Sequence, residues 1–541
     1  MGDTQARLGE AHRGLFVRDA TGLVREVSWL DAAMYNMIWA SVPLAIAFLL
    51  LFGTGFYTGG NLYVATIAAF VLTISTGFLY AMLSAAVPRS GGDYTWISRA
   101  LSPAVGLMSN LSWNFWITFF IGVYAVYTTA YGLSPLLRLW AARSGSQALL
   151  DAADSLVTRT GTMITGLVIV LLSGVLLAFS RGLRGFLRLQ RWTFVLWLVG
   201  AILIPIAVML FISRNTALVR FDSYVTALGG PDRASDLILK AGRAARAPFN
   251  FGQSILMVTL PFYSLAFIFQ SVYFGGEIKR ARRSSLLSIP GAHALASVLI
   301  LLSAVAFLTG IGRDFLAGLA LTSPSDYGFG FTPLYTEVAA VVSGNVVIGT
   351  IVILAFTSML IIFVAQTMLQ LSRNIFAWSF DRLLPEKVAE VNPGTRSPVV
   401  AVVVITVVSL ISVVIISLNQ QLSFLVGLFG LSLTYLSVAV AGILFPYRKP
   451  DVFEASPYNG RLGGIPVMTL VGVASLLTMG AAVAILLLDR NSGTNWQLNT
   501  NRVFLGAGIF LAGLPIFYII RAVQRARGVD VDLAFRQIPP E

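Results

Sequence analysis

Any chemistry in this chain falls to uncharged polar side chains set in apolar surroundings. The clearest concentration is Leu260–Arg283, LPFYSLAFIFQSVYFGGEIKRARR. It begins as an apolar helix, but Pro261 removes a backbone donor near its start. Ser264 and Gln270 interrupt it with polar groups, and Gly275–Gly276 loosen its end before Glu277 and the bases Lys279, Arg280, Arg282 and Arg283. A second interruption lies at Asn36, Ser41 and Pro43 in WLDAAMYNMIWASVPLAIAFLLLF. Pro43 has no donor of its own and disfavours the helical conformation at Val42. In hydrocarbon a freed backbone group must be satisfied inside the protein or in a wet cavity. A broken membrane helix is therefore a candidate binding site, because half-helix ends and freed carbonyls can hold a ligand or an ion.

Other chemistry is excluded by what is missing. The chain has no cysteine, so it has neither disulfides nor thiolate metal sites. Its two histidines, His12 and His293, lie far apart in sequence and cannot make a histidine metal cluster. There is no Walker loop, no complete GxGxxG fingerprint, no HExxH and no nucleophile elbow. His293 reads as a packed histidine bonded to a neighbouring helix. Catalysis is not expected, and neither is a bound cofactor.

The elements that position these residues are membrane helices. The 541 residues are 57% hydrophobic and 11% charged, with mean hydropathy +0.81, which excludes a soluble or disordered chain. Spanning a bilayer takes about 20 mainly apolar residues. Twelve runs qualify, at 30–52, 62–84, 103–131, 161–179, 192–213, 252–276, 287–309, 345–371, 398–417, 421–445, 466–488 and 503–523. They are called spans 1 to 12 below. The formal charge of +13 does not point to nucleic acid, because the bases sit in short loops between apolar runs. About two thirds of the 37 Lys and Arg fall on the side that holds both termini. Half of the remainder lie in the long loop 214–251, which counts least in setting orientation. Both termini are expected in the cytoplasm, as tails 1–29 and 524–541, with 214–251 outside. Within that loop Asp232–Ala247 has the spacing of a short surface helix, in what reads as a solvated connection. No charged side chain falls in the middle of a span, so no proton relay of mid-membrane carboxylates is expected.

Residues 80–103, YAMLSAAVPRSGGDYTWISRALSP, carry a recognisable pattern. Pro88 and Arg89 precede Gly91, Gly92, Asp93 and Tyr94, followed by Trp96, Arg99, Ala100 and Leu101. Gly91–Gly92 permits a tight turn, and Tyr94 and Trp96 suit an interface. The string resembles the signature of amino acid permeases of the amino acid–polyamine–organocation superfamily. Glu277 with the bases after it resembles that family's exit from helix 6. Ser372, Arg373, Asp381, Leu384 and Pro385, with Ser397–Pro398, resemble its helix 8 to helix 9 connection, and Phe424–Gly430 the start of its helix 10. The resemblance covers about residues 28–450. Two departures stand out. The family's first helix usually breaks at a glycine-serine-glycine type sequence, where this chain has Trp39-Ala40-Ser41-Val42-Pro43. The helix 5 lysine of some members is missing from Trp192–Ser213.

The resemblance implies an all-α polytopic membrane protein of the leucine-transporter type. Spans 1–5 (30–213) and 6–10 (252–445) would form a 5+5 inverted repeat, with spans 11 and 12 (446–523) appended. It implies a plasma-membrane secondary transporter of amino acids working by alternating access. Matching breaks in spans 1 and 6 place the substrate between them. Asn36 and Ser41 from span 1, and Ser264, Phe267 and Gln270 from span 6, are the expected contacts, joined by Trp113 of span 3 and Thr367 of span 8. Thr357 and Ser358 could offer oxygens to a coupling ion; sodium and a proton are the ions considered, and sodium held by span 1 carbonyls and span 8 oxygens, or plain exchange without a coupling ion, is expected over a side-chain proton relay. A zwitterion needs no charged side chain, so neutral, apolar amino acids are expected over cationic ones. The alternatives are a permease for another small amine or a heterocycle, and a transport-dead sensor or interaction subunit of the same fold. Partners beyond substrate and bilayer, and the oligomeric state, are left open.

Overall fold

The computed structural model describes residues 27–179, 183–392, 394, 397–418 and 424–535. Arg7, Arg13, Arg18 and Arg25 of the expected N-terminal tail, with Arg181, Arg396 and residues 536–541, lie outside them. Among the described residues eleven helices are long and apolar enough to cross a membrane. They match every expected run except the sixth. Some run further than hydropathy suggested. Span 3 continues from Pro103 to Ser144, through a π turn at Thr129–Leu133. Span 8 extends over Val346–Phe380 and carries Arg373 into its last turns.

Span 1 breaks where its sequence says it should. Helix Trp29–Trp39 stops, and a second helix starts at Val42. Ser41 between them adopts a left-handed conformation, φ 48°, which costs a non-glycine residue about 1–2 kcal/mol. Local bonds hold it: the Ser41 N–H donates to Ile38 O (2.9 Å), and Leu44 N–H donates to Ser41 O (2.8 Å). Pro43 sits in the first turn of the second helix, where a missing N–H costs nothing.

The sixth run is not one helix. It comprises Phe251–Leu256, Thr259–Leu265 and two short 3₁₀ turns, Gln270–Tyr273 and Gly275–Glu277. Pro261 accounts for the first kink. It cannot donate to Met257 O, which instead accepts from Leu260 N–H (3.1 Å) in a tighter turn. The larger unwinding is downstream, at 266–269.

Loop 214–251 is more ordered than a plain connection, and the short helix expected within Asp232–Ala247 is present. It forms helices Arg214–Ala227 and Ala234–Ala244. The second packs on helix Arg313–Leu321 of the next loop. There Gly242 and Gly318 let the backbones touch: a Cβ on either would lie 1.8 Å from a carbonyl oxygen of the other helix. Arg246 closes the contact on Asp314 (2.7 Å). His293 packs as expected, with Nε2 2.8 Å from Thr73 Oγ1 of span 2.

Candidate functional site

The two breaks lie against each other. The Trp39 ring, just before the span 1 break, stacks on Phe267 in the unwound stretch at 6.0 Å. Asn36 Oδ1 accepts from the Ser271 N–H (2.8 Å). That bond fixes the orientation of the Asn36 amide and leaves its Nδ2 facing elsewhere. Tyr435 of span 10 donates to Ala266 O (2.7 Å), at the start of the unwound stretch. Phe363 of span 8 meets Trp39 at 5.0 Å and stacks on Tyr124 of span 3 at 3.6 Å. Trp113 lies between Phe267 (5.9 Å) and Tyr273 (5.8 Å).

Four of the sequence-derived residues share one property. Asn36 Nδ2, Ser264 Oγ, Gln270 Nε2 and Trp113 Nε1 have no hydrogen-bond partner, and all four residues are 0% exposed. A buried polar atom left unpaired costs about 1–3 kcal/mol. All four can donate, and all sit on, or in contact with, residues 264–273. Phe267 is buried among the rings of Trp39, Trp113, Tyr263 and Tyr435. Ser41 Oγ donates back to Ile38 O (3.3 Å).

The span 8 candidates are placed differently. Thr367 is buried one turn past Phe363 and donates to Phe363 O (2.8 Å). Thr357 donates to Ile353 O (2.7 Å) and packs on Gly132 of the span 3 π turn. Ser358 donates to Ala355 O (2.8 Å). None of these bonds joins Thr357 or Ser358 to the span 1 break. At that level span 8 presents Phe363 and the Gln366 carbonyl, which accepts from Tyr35 OH (3.0 Å). Tyr35, Tyr263 and Tyr435 were not singled out in the sequence, since an aromatic in an apolar run reads as packing, and Tyr124 stood out only as part of the aromatic stripe of span 3. The signal they left was density, four hydroxyl-bearing rings in spans 1, 3, 6 and 10.

One end of the bundle, where loops 85–102, 277–286 and 372–397 meet, is rich in bases and closed by buried ion pairs. Arg99 is bidentate to Asp381 (2.7 and 2.7 Å). Arg373 is bidentate to Glu277 (2.9 and 3.3 Å). A third pair is half-exposed: Arg191, at the start of span 5, reaches from the surface to the buried Asp31 of span 1 (2.6 and 2.9 Å). Gly91 and Gly92 carry positive φ and let the loop insert between two helices. A Cβ on Gly91 would lie 2.6 Å from Ala377 Cβ, and one on Gly92 3.0 Å from the Tyr273 ring. The Gly91 N–H donates to Tyr273 O (3.0 Å). Helix Asp93–Ala100 follows, with all eight residues buried.

A family model described as amino acid permease matches residues 32–510. The chain belongs to the amino acid permease family. Among curated proteins no match was found. The match runs through the permease's two broken helices, the buried loop helix and the Arg99–Asp381 and Arg373–Glu277 pairs, and takes in span 11 and the first part of span 12. It identifies a multi-pass membrane protein for amino acid transport.

Proposed function

We propose that this permease carries neutral, apolar amino acids by alternating access, with the substrate held between the breaks of spans 1 and 6. The observation that carries this is the set of four unpaired buried donors on residues 36, 113, 264 and 270. Donors of this kind suit a carboxylate, and freed carbonyls of the unwound stretch suit an ammonium. On the two broken helices no carboxylate is offered to a third charge, because Asp31 and Glu277 are each bidentate to an arginine, and the nearby Asp93 carboxylate is taken by Tyr273, Tyr80 and Asn110.

In this reading span 6 crosses the membrane as a broken twelfth helix. Spans 1–5 and 6–10 are the two inverted repeats, each beginning with its broken helix, and spans 11 and 12 are additions. The base-rich end faces the cytoplasm of a plasma membrane, in accord with the excess of bases there. The density of rings around Trp39 favours one second reading, a flat amine or heterocycle as substrate.

Counterflow in proteoliposomes tests both. Vesicles loaded with unlabelled leucine should accumulate labelled leucine or alanine, with sodium and pH varied in parallel. Arginine and diamines should compete poorly. Counterflow with a heterocycle but no neutral amino acid would replace the first reading by the second.

A further inference from the structure

The closed, base-rich end contains a carboxylate that the ion pairs do not use. Asp93, at the start of the loop helix, is 0% exposed, and its partners are all neutral. Its Oδ2 accepts from Tyr273 OH of the span 6 exit (2.7 Å) and Tyr80 OH of span 2 (3.2 Å). Its Oδ1 accepts from Asn110 Nδ2 of span 3 (3.2 Å). Asn110 passes the contact on, accepting from Trp378 Nε1 of span 8 (2.9 Å) and Asn114 Nδ2 (3.0 Å). Asn114 Oδ1 in turn accepts from Asn374 Nδ2 (2.8 Å). One carboxylate thus ties spans 2, 3, 6 and 8 where the bundle is sealed.

The other ionisable groups around it are committed elsewhere. On its own helix Arg99 is bidentate to Asp381 of span 8. From span 8 Arg373 holds Glu277 of the span 6 exit. From span 10 Arg448 donates to Ala100 O and Leu101 O, at the far end of the loop helix. Tyr435 of the same span donates to Ala266 O.

We propose that Asp93 is a proton-binding site in this seal, taking up a proton when the cytoplasmic end closes and releasing it when that end opens. The proposal rests on the transport reading and its orientation. The physical reason is that a carboxylate stripped of water with no base beside it favours its neutral form. Burial pushes Asp93 up to about 6, against hydrogen bonds from Tyr273, Tyr80, Asn110 and the Tyr94 N–H that pull it down. Opening the seal hydrates the loop helix and returns the group to the ordinary aspartate range, about 4. The closed form therefore holds the proton more tightly, and acid favours closure. Between pH 7 and pH 5 the ratio of open to closed forms falls roughly tenfold.

The test reads the seal directly. The chain has no cysteine, so Ser271→Cys adds a single thiol behind the seal, at a residue 1% exposed. Its labelling by a water-soluble maleimide is measured from pH 5 to pH 7.5, normalised to the denatured protein at each pH to remove the thiol's own titration. Labelling should rise roughly tenfold with a midpoint near 6. Adding Asp93→Asn should abolish the dependence. Adding Tyr273→Phe, which removes the closest donor to the ionised form, should move the midpoint up by about one unit. This second variant carries the test if Asp93→Asn does not fold. Labelling indifferent to pH, or the same profile in the variants, overturns the proposal. Leucine counterflow on the cysteine-free parent, without Ser271→Cys, separates the two readings: its absence with the labelling pattern intact sinks the transport reading and spares the proton site.

Discussion

Gln270→Glu should turn a permease for neutral amino acids toward cationic ones. The two side chains are isosteric. Gln270 Oε1 accepts from Gln370 Nε2 (3.0 Å), a bond that glutamate keeps. What changes is the unpaired Nε2, which becomes a second carboxylate oxygen with no partner. A charge pair at about 4 Å in an effective dielectric near 20 gains about 4 kcal/mol. Burial offsets part of that, since the new carboxyl is held partly protonated, and each unit of pKa rise removes about 1.4 kcal/mol. A net gain of about 1.5–3 kcal/mol remains, or about 10- to 100-fold in competition by arginine or lysine. Neutral amino acids lose a donor and meet a like charge, so their uptake should fall at least roughly tenfold.

The assay is competition against labelled leucine in proteoliposomes, with folded yield read by size exclusion. Gln270→Met is the control, removing the donor without adding charge. It should weaken leucine and leave arginine no better. If Gln270→Glu folds and keeps the parental ranking of substrates, residue 270 does not face the substrate, and the assignment of the four unpaired donors to one ligand fails with it.

Three further outcomes are expected. Glu277→Gln leaves Arg373 buried without its countercharge and should cost about 3–5 kcal/mol, seen as a large drop in Tm in detergent; a Glu277→Leu, Arg373→Met double variant should recover most of it. Gly91→Ala meets both a positive φ and Ala377 Cβ at 2.6 Å, so folded yield should fall while Gly145→Ala, with open space around it, is far milder. Glu337, buried on the loop between spans 7 and 8 with Tyr224 OH donating to it at 3.0 Å, is pushed by burial from 4.5 up to about 7. Its contribution to stability is present below pH 4.5 and lost as pH rises through about 7. Glu337→Gln should therefore match the parent at pH 4.5 and be more stable at pH 8, by up to roughly 3 kcal/mol; a constant difference across that range would refute the assignment.

The break in span 1 was legible because its cause is local. Ser41, Val42 and Pro43 cannot continue a helix comfortably, and the chain turns at Ser41. The break in span 6 was legible only as a region. Pro261 marks a kink, but the chain unwinds at Ala266-Phe267-Ile268-Phe269, an apolar run with no glycine, proline or polar residue. What opens it there is tertiary. Tyr435 takes the Ala266 carbonyl and Asn36 takes the Ser271 N–H, from spans 10 and 1. Neither partner can be inferred from a window of hydropathy. The same limit hid Tyr35, Tyr263 and Tyr435, and the local bond by which the Thr357 hydroxyl donates to its own helix.

Charge was read correctly along the chain and incompletely in space. All the charged groups fall outside the middles of spans, as the sequence shows, yet outside a span is not the same as in water. The glycine pair at 91 and 92 lets loop helix Asp93–Ala100 enter the bundle, and with it come a guanidinium and a carboxylate. Arg99 arrives with a partner waiting on span 8, and the pair closes the end of the bundle. Asp93 arrives to three neutral donors. The two differ only six residues apart in sequence, but one is a fixed ion pair and the other has a charge state that depends on whether water reaches it. The proposed proton site therefore needs no carboxylate in the middle of the membrane, only one whose burial changes as the bundle opens, and Asp93 on the loop helix meets that condition.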